Sequence, residues 1–375
     1  MAPDAGSQGF LAGNRLQLLS SGGEYFPALI AAIDAAQLEV HLETYIFADD
    51  SCVLVDGLGA REFAAGLGAA LSAGGVEVMT YRPEAGQTRI RRHRLRRLHR
   101  KLAVFDGRTA FVGGINVLDD FDDGKAAAAR FDYAVRIEGP LVACVHATMR
   151  HVWRLVRWAS LGHRPPAPDL LLPAAAVCGT VEAALLIRDN LAHRRDIESA
   201  YLQAIQSARQ QIVISNAYFL PGRHFRKVLL AAALRGVTVK LLLQGRSDHV
   251  LLHYATQALY DRLLAAGVRI FEYDRAFLHA KVAVIDSDWA TVGSSNIDPF
   301  SLLLAREANV VVRDVAFAGL LRSSLETAIA GAAREIRTAD QRRRLWPGRL
   351  LRAAAYGLVR LLIGVTRYAG KHYTD

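Results

Sequence analysis

Two short segments carry the same chemistry at the same spacing. His99, Lys101 and Asp106 stand in the order H-x-K-x4-D within RLHRKLAVFDG (97–107), and His279, Lys281 and Asp286 repeat that order within FLHAKVAVIDS (277–287). Imidazole is a nucleophile and proton carrier near neutral pH. An ammonium two residues along offers a compact positive charge to an anionic oxygen. One such copy is compatible with ordinary solvated side chains, whereas two at matching points of a chain argue for a shared task. The lysines add to this: the chain writes nearly all its cations as Arg, holds six Lys, and keeps Lys in both copies.

On a strand, residues two apart face the same side, so each copy points its His and Lys together. If the copies pair about a pseudo-twofold axis, two imidazoles and two ammonium groups converge on one cleft. Asn116 and Asn296 follow their histidines at equal distance and are placed to donate hydrogen bonds to the same oxygens. This set suits phosphoryl transfer without a metal. One neutral His attacks phosphorus to give a phosphohistidine, and the other, protonated, supplies a proton to the leaving oxygen. The Lys and Asn donors neutralise charge on the equatorial oxygens. A carboxylate behind each ring would orient it, and the aligned segments RFDYAVRI (130–137) and REANVVV (306–312) offer Asp132 and Glu307. No cofactor is expected. HVLLH (249–253) spaces two histidines one helical turn apart but lacks the Glu of a zinc-protease motif, so it reads as surface or core histidine.

The elements that must position these residues are themselves doubled. AIDAAQLEVHLETYIF (32–47) aligns without gaps on AIQSARQQIVISNAYF (204–219), each a helix end followed by a strand. AGGVEV (73–78) matches AAGVRI (265–270), and each H-K-D segment carries an apolar run suited to a buried strand. FVGGIN (111–116) and TVGSSN (291–296) follow, with Gly114 where the second copy has Ser294. The copies differ in one interval: FRKVLLAAALRGVTVKLLLQG (225–245) reads as a helix and a strand, and the first copy lacks most of that unit. Because parallel strands usually need a crossover of a dozen residues, CVLVDG (52–57) is expected either to turn back antiparallel or to lie outside the sheet. The fold class is α/β: two fused repeats, residues 1–161 and 181–340, joined by a linker at 162–180 that contains GHRPPAPDLLLP (162–173), with one site at their interface.

These residues resemble the phospholipase D superfamily, whose signature is H-x-K-x4-D followed by G-[GS]-x-N. Within it, GNRLQLLSSGGEYFPALIAAI (13–33), LETYIFADD (42–50), RLHRKLAVFDGRTAFVGGIN (97–116) and VGSSNIDPFSLLLAREANV (292–310) look like the shorter, B-type bacterial cardiolipin synthases. The resemblance implies a phosphatidyl transferase. It would hold a phosphatidyl group on His99 as nucleophile, with His279 as acid and base, and pass it to a glycerol hydroxyl of phosphatidylglycerol. Phosphatidylethanolamine is a second possible donor. Lys101, Lys281, Asn116, Asn296 and Ser294 would serve the phosphate, with Asp106 and Asp286 in mainly structural roles. The same chemistry with water as acceptor gives a phospholipase D-type hydrolase or a nuclease. A third reading, of another class, is an inactive lipid-binding homologue.

Composition narrows the setting. Lys and Arg total 46 against 36 Asp and Glu, a net charge of +10, which points to an anionic partner. With a lipid substrate, that partner is read as an anionic membrane surface, and no nucleic acid is expected. Three widely spaced cysteines make neither a disulfide framework nor a zinc signature. The start lacks the basic flank and apolar run of a secretory signal, and no uncharged apolar stretch reaches spanning length. The segment 341–375 is expected to form a basic amphipathic helix, with Arg349, Arg352, Arg360 and Arg367 on one face and Leu351, Leu358, Leu361 and Leu362 opposite, either docked on the core or lying on anionic lipid. The run RIRRHRLRR (89–97) enters the first motif directly. Together these place the chain on the cytoplasmic side of the inner membrane, peripherally bound.

Overall fold

A computed structural model describes residues 9–45, 53–56, 67–82, 97–117, 129–161, 176–189, 192–246, 249–298, 305–339 and 346–365. Residues 89–96 of the basic run and the linker segment 162–173 lie outside them. The first half contributes strands β1 (Leu11–Ser20), β2 (Val40–Thr44), β3 (Val53–Asp56), β4 (Met79–Tyr81), β5 (Arg97–Leu98), β6 (Lys101–Phe105), β7 (Thr109–Gly113) and β8 (Tyr133–Glu138). The second contributes β9 (Val181–Arg188), β10 (Gln211–Asn216), β11 (Thr238–Gln244), β12 (Arg269–Tyr273), β13 (Lys281–Ile285), β14 (Trp289–Gly293), β15 (Ala305–Arg313) and β16 (Ala333–Ile336). They form one sheet in the order β16-β12-β11-β10-β13-β14-β15-β9-β1-β8-β7-β6-β2-β3-β4, with β5 added beside β15. Outward from the β9–β1 seam the two halves run in the same internal order, which is the pseudo-twofold arrangement.

Alternation along the central strands sets the layers. In β6, Leu102 and Val104 pack into one apolar cluster while Ala103 and Phe105 pack into another. In β13, Val282 and Val284 join the first of these, and Ala283 and Ile285 enter a third. The shared cluster extends across both halves beneath helices α3 (Leu141–Leu161) and α8 (Val315–Ala332). The opposite face is covered separately. Helices α1 (Ser21–Ala35) and α2 (Leu67–Ala73) cover the first half, and α4 (Asp196–Ser207), α5 (Arg223–Leu234), α6 (Val250–Gln257) and α7 (Tyr260–Ala265) the second. With both faces covered, strands of unbroken apolar character are what the fold requires.

One expectation is overturned. CVLVDG neither turns back nor leaves the sheet, because Val53–Asp56 pairs in parallel with both β2 and β4. It is the counterpart of β11, which lies parallel between β10 and β12. The first half therefore keeps the strand, and among its described residues no counterpart of α5 or of β16 is present. Reach explains this: the segment 45–52 can extend to about 27 Å, roughly twice the length of a four-residue strand. A return to the start of so short a strand needs no helix.

Candidate active site

His99 and His279 sit immediately ahead of β6 and β13, and each is tied to the opposite half through its backbone. His99 N–H donates to the Arg306 carbonyl at 3.0 Å, and His279 N–H donates to the Phe131 carbonyl at 2.9 Å. The residues before them pair across the seam as well: β5 runs parallel to the start of β15, and Leu278 bridges Phe131. Leu98 N–H is held at 2.8 Å by Asp56 at the end of β3, and Leu278 N–H at 2.8 Å by Gln244 at the matching end of β11. The strand retained in the first half thus anchors the approach to His99 as its counterpart does for His279.

The orienting carboxylates also cross. Glu307, of the second half, places both carboxylate oxygens 3.1 Å from His99 Nδ1, whereas Asp132, of the first, lies 2.7 Å from His279 Nδ1. Both acids are buried. An imidazole whose Nδ1–H is donated to a carboxylate presents Nε2 as its reactive nitrogen.

Ser294 and Gly114 acquire a reason here. The Ser294 hydroxyl donates to Glu307 at 2.5 Å and accepts from Ala308 N–H at 3.0 Å, so it fixes the long Glu side chain and does not stand free for phosphate. At Gly114 a Cβ would fall 2.6 Å from Asp132 Oδ2, so the shorter acid is paired with no side chain at all. Gly114→Ala should displace Asp132 and cost about 1–3 kcal/mol, read from thermal melting. The double change Gly114→Ser with Asp132→Glu, which copies the second half, should recover part of that loss; no recovery would sink the pairing.

Lys101 and Lys281 are both buried beneath the two rings. Lys101 Nζ donates to the His99 carbonyl at 2.6 Å and lies 5.5 Å from the centre of the Tyr45 ring. Lys281 Nζ donates to the His279 carbonyl and lies 3.4 Å from Asp132 Oδ2. Burial pushes the Lys101 ammonium down to about 7, against the pull of Glu307, and lowers Lys281 against the pull of Asp132. Burial likewise lowers His279 to about 3, with Lys281 acting in the same direction, and it lowers His99 against Glu307. Asp132 is raised by burial, but Lys281 and His279 outweigh that and hold it below the usual carboxylate range. Each ring also feels the ammonium of the opposite copy. An anionic ligand in the cleft would oppose the lowering of both lysines and both imidazoles.

Asn116 and Asn296 are buried, and their Oδ1 atoms meet no hydrogen-bond partner among the described residues, a cost that a bound hydroxyl, as donor, would relieve. Asp106 and Asp286 lie elsewhere. They occupy left-handed turns (φ +51° and +49°) at the far ends of β6 and β13, about 16 Å along the strand from the lysines. Asp106 accepts the N–H groups of Gln37, Leu38 and Glu39 at 2.8–2.9 Å, and Asp286 those of Arg209, Gln210 and Gln211 at 2.8–3.0 Å. In both copies the motif's Asp locks the turn that starts β2 or β10.

Burial raises each of these two carboxyls, and the three N–H donors together outweigh it, leaving both lowered. A lowered carboxylate contributes stability that is present above its unfolded pKa of about 4 and lost as pH falls through the lower folded value. Asp106→Asn and Asp286→Asn should each cost on the order of 1–2 kcal/mol at pH 7, with the gap to wild type closing in acid. A gap independent of pH would refute the assignment.

Sequence reasoning did not find Arg188, a buried guanidinium directly across the strand pair from Glu307, whose Nη1 donates to the Ala305 carbonyl. The available signal was a lone Arg ending the apolar strand VEAALLIR. Tyr45, with its ring centre 4.9 Å from that of His99, was also missed. In HVLLH the His253 ring nitrogen meets Gln257 at 2.8 Å and His249 lies against Tyr218.

A family model described as "Cardiolipin synthase, PLD-like domain" matches residues 201–329. The chain is 36% identical over 363 residues to cardiolipin synthase B of Escherichia coli (strain K12), covering 89% of this chain and 85% of that one. It is 30% identical over 361 residues to cardiolipin synthase A of Pseudomonas entomophila, covering 91% and 73%. Among solved structures, phosphatidylserine synthase from Haemophilus influenzae superposes with a TM-score of 0.65 over 96% of this chain and 95% of that one. At 13% identity this is a likeness of fold.

Proposed function

The chain belongs to the cardiolipin synthase family of phospholipase D-like enzymes, and from that premise we propose that it joins two phosphatidylglycerol molecules into cardiolipin through a phosphohistidine. In the first half-reaction Nε2 of one neutral histidine, His99 by family analogy, attacks the donor phosphorus. The bond from phosphorus to the glycerol headgroup oxygen breaks, and that oxygen takes a proton from His279. In the second, His279 removes a proton from the glycerol hydroxyl of another phosphatidylglycerol, whose oxygen displaces His99 from phosphorus. The products are cardiolipin and free glycerol. Lys101, Lys281, Asn116 and Asn296 meet the charge on the non-bridging oxygens. Asp132 and Glu307 orient the rings, and Ser294 holds Glu307.

The single observation that carries this reading is the crossing of the carboxylates, since each half supplies what the other half's histidine needs. The test is conversion of labelled phosphatidylglycerol in anionic vesicles containing EDTA. Cardiolipin and glycerol in equal amounts are expected. Phosphatidic acid without cardiolipin would replace the transferase with a hydrolase.

We further place the enzyme peripherally at the cytoplasmic side of the inner membrane, bound through helix α9 (Trp346–Val365). Among the described residues no helix is long and apolar enough to cross a membrane. Of the two expectations for this segment, docked on the core or lying on lipid, the helix is docked through a narrow seam. Ala355 and Val359 are buried, and Arg352, Tyr356 and Arg360 flank them at the docking seam. Leu351, Leu358, Leu361 and Leu362 face outward, with Leu361 62% exposed. Beside the seam, Arg226 donates to the Tyr356 hydroxyl at 2.6 Å and helps line a cavity of about 170 Å³ with Arg223, Lys227 and Arg262. Leucines flanked by such cations suit an anionic lipid surface. Leu358→Glu with Leu361→Glu should weaken cosedimentation with anionic vesicles at least about tenfold and leave the thermal melt unchanged. Unaltered binding would remove α9 from the membrane contact.

A further inference from the structure

We propose that Glu39, His41 and His146 together bind one divalent transition-metal ion, with zinc the best chemical match, at the end of the first half remote from the histidine cleft. Glu39 and His41 are two residues apart where the chain enters β2, so they share a face, and His146 reaches them from α3. His41 Nε2 lies 2.7 Å from Glu39 Oε1, and His146 Nε2 lies 3.2 Å from Glu39 Oε2. All three donor atoms fall within 4.8 Å of one another. In a tetrahedral zinc site with bonds of about 2.0–2.1 Å the donors stand roughly 3.3 Å apart, so closing on an ion needs a shift of about an ångström or less per side chain. Two imidazoles and one carboxylate make three ligands and leave a fourth position for water. The side chains are 15%, 22% and 12% exposed, so the site is sheltered yet open to an entering ion.

Two further observations separate this cluster from an ordinary polar contact. Glu39 Oε2 and His146 Nε2 are buried, and at 3.2 Å from one another neither completes a hydrogen bond among the described residues. An ion between them would satisfy both. The second half acts as an internal control. Strand register sets His41 across from Val104 and Val213 across from Val284, which are matching positions of the doubled motif. The same registry, carried from β8 and β15 into the following helices, sets His146 on Leu321 and Glu39 on Gln211. Val213 and Leu321 are buried in the shared apolar cluster. The fold thus asks for apolar side chains in these slots, and the first half has imidazoles there instead. Trp153 stacks on the His41 ring at 5.9 Å between centroids, and the two imidazoles stand 5.7 Å apart, which fixes their orientation.

The ion would act structurally. Glu39 N–H donates to Asp106 and its carbonyl accepts from Asp106 N–H, so the cluster adjoins the turn that ends the first H-K-D strand. Binding would clamp α3 and β2 to that turn. The experiment is titration of the full chain, stripped with EDTA and desalted, with Zn²⁺ by calorimetry and with Co²⁺ by visible absorption. One equivalent is expected, with tetrahedral cobalt bands and a higher melting temperature in zinc. His41→Ala and His146→Ala should each lose that equivalent. The double variant His41→Val with His146→Leu, which writes in the second half's residues, should fold, melt cooperatively and bind none. No uptake by wild type at micromolar zinc would overturn the proposal. So would an equivalent that persists in all three variants, which would place the ion elsewhere. None of these readouts depends on transferase activity.

Discussion

His99→Ala and His279→Ala should each lower cardiolipin formation by at least about 10⁴-fold, and the double variant should be no slower than either single one. The two rings act in sequence on one phosphorus, so removing either stops the cycle and removing both removes nothing more. Both changes shorten a side chain at the cleft and leave the apolar clusters intact, so circular dichroism and melting should match wild type. The same pair decides the roles. Incubation with labelled phosphatidylglycerol followed by denaturation should leave acid-labile label on the variant that keeps the nucleophile and none on the other. Label on neither, with activity retained above 1% of wild type in either variant, would refute the two-histidine mechanism.

Asp132→Asn and Glu307→Gln are expected to lower kcat by about 10²–10⁴-fold while changing KM little. Neither side chain is placed against phosphate in this mechanism; each holds a ring. Removing the charge permits the wrong tautomer and leaves an imidazolium without its counter-ion during transfer. The effects should cross between the halves: Glu307→Gln should impair the step served by His99, and Asp132→Asn the step served by His279. Burst kinetics resolve the two, because loss in the attacking ring slows the burst whereas loss in the acid and base also slows turnover of the accumulated intermediate. The crossing would be refuted if Asp132→Asn altered the same step as His99→Ala and spared that of His279→Ala.

Much of this was readable before any fold was available. The doubled H-x-K-x4-D singled out both His–Lys pairs, although each His stands just ahead of the strand that begins at its Lys, so strand alternation does not set the pair. Matched flanking segments implied two similar units, and apolar runs after each motif implied strands covered on both faces, as Leu102–Phe105 and Val282–Ile285 are. Even the two carboxylates were named from alignment of the halves. The short interval before CVLVDG was misread because crossover length is a habit of helices, whereas the true limit is how far an extended chain reaches.

What the sequence by itself determined is therefore the local inventory: the reactive groups, their spacing, the doubling and the strands that carry them. Which carboxylate serves which histidine was decided only in three dimensions. Glu307 is 208 positions from His99 and Asp132 is 147 from His279, and nothing local distinguishes this pairing from the uncrossed one. The seam decides it: β9 joins β1, and β5 lies beside β15, so each histidine's backbone is bound to the strand bearing the other half's acid. The same holds for Ser294, whose hydroxyl is drawn to Glu307, and for the two motif aspartates, which strand length carries away from the cleft. Side-chain type and spacing are properties of the chain, but a contact between distant segments exists only once burial of both sheet faces has fixed their register.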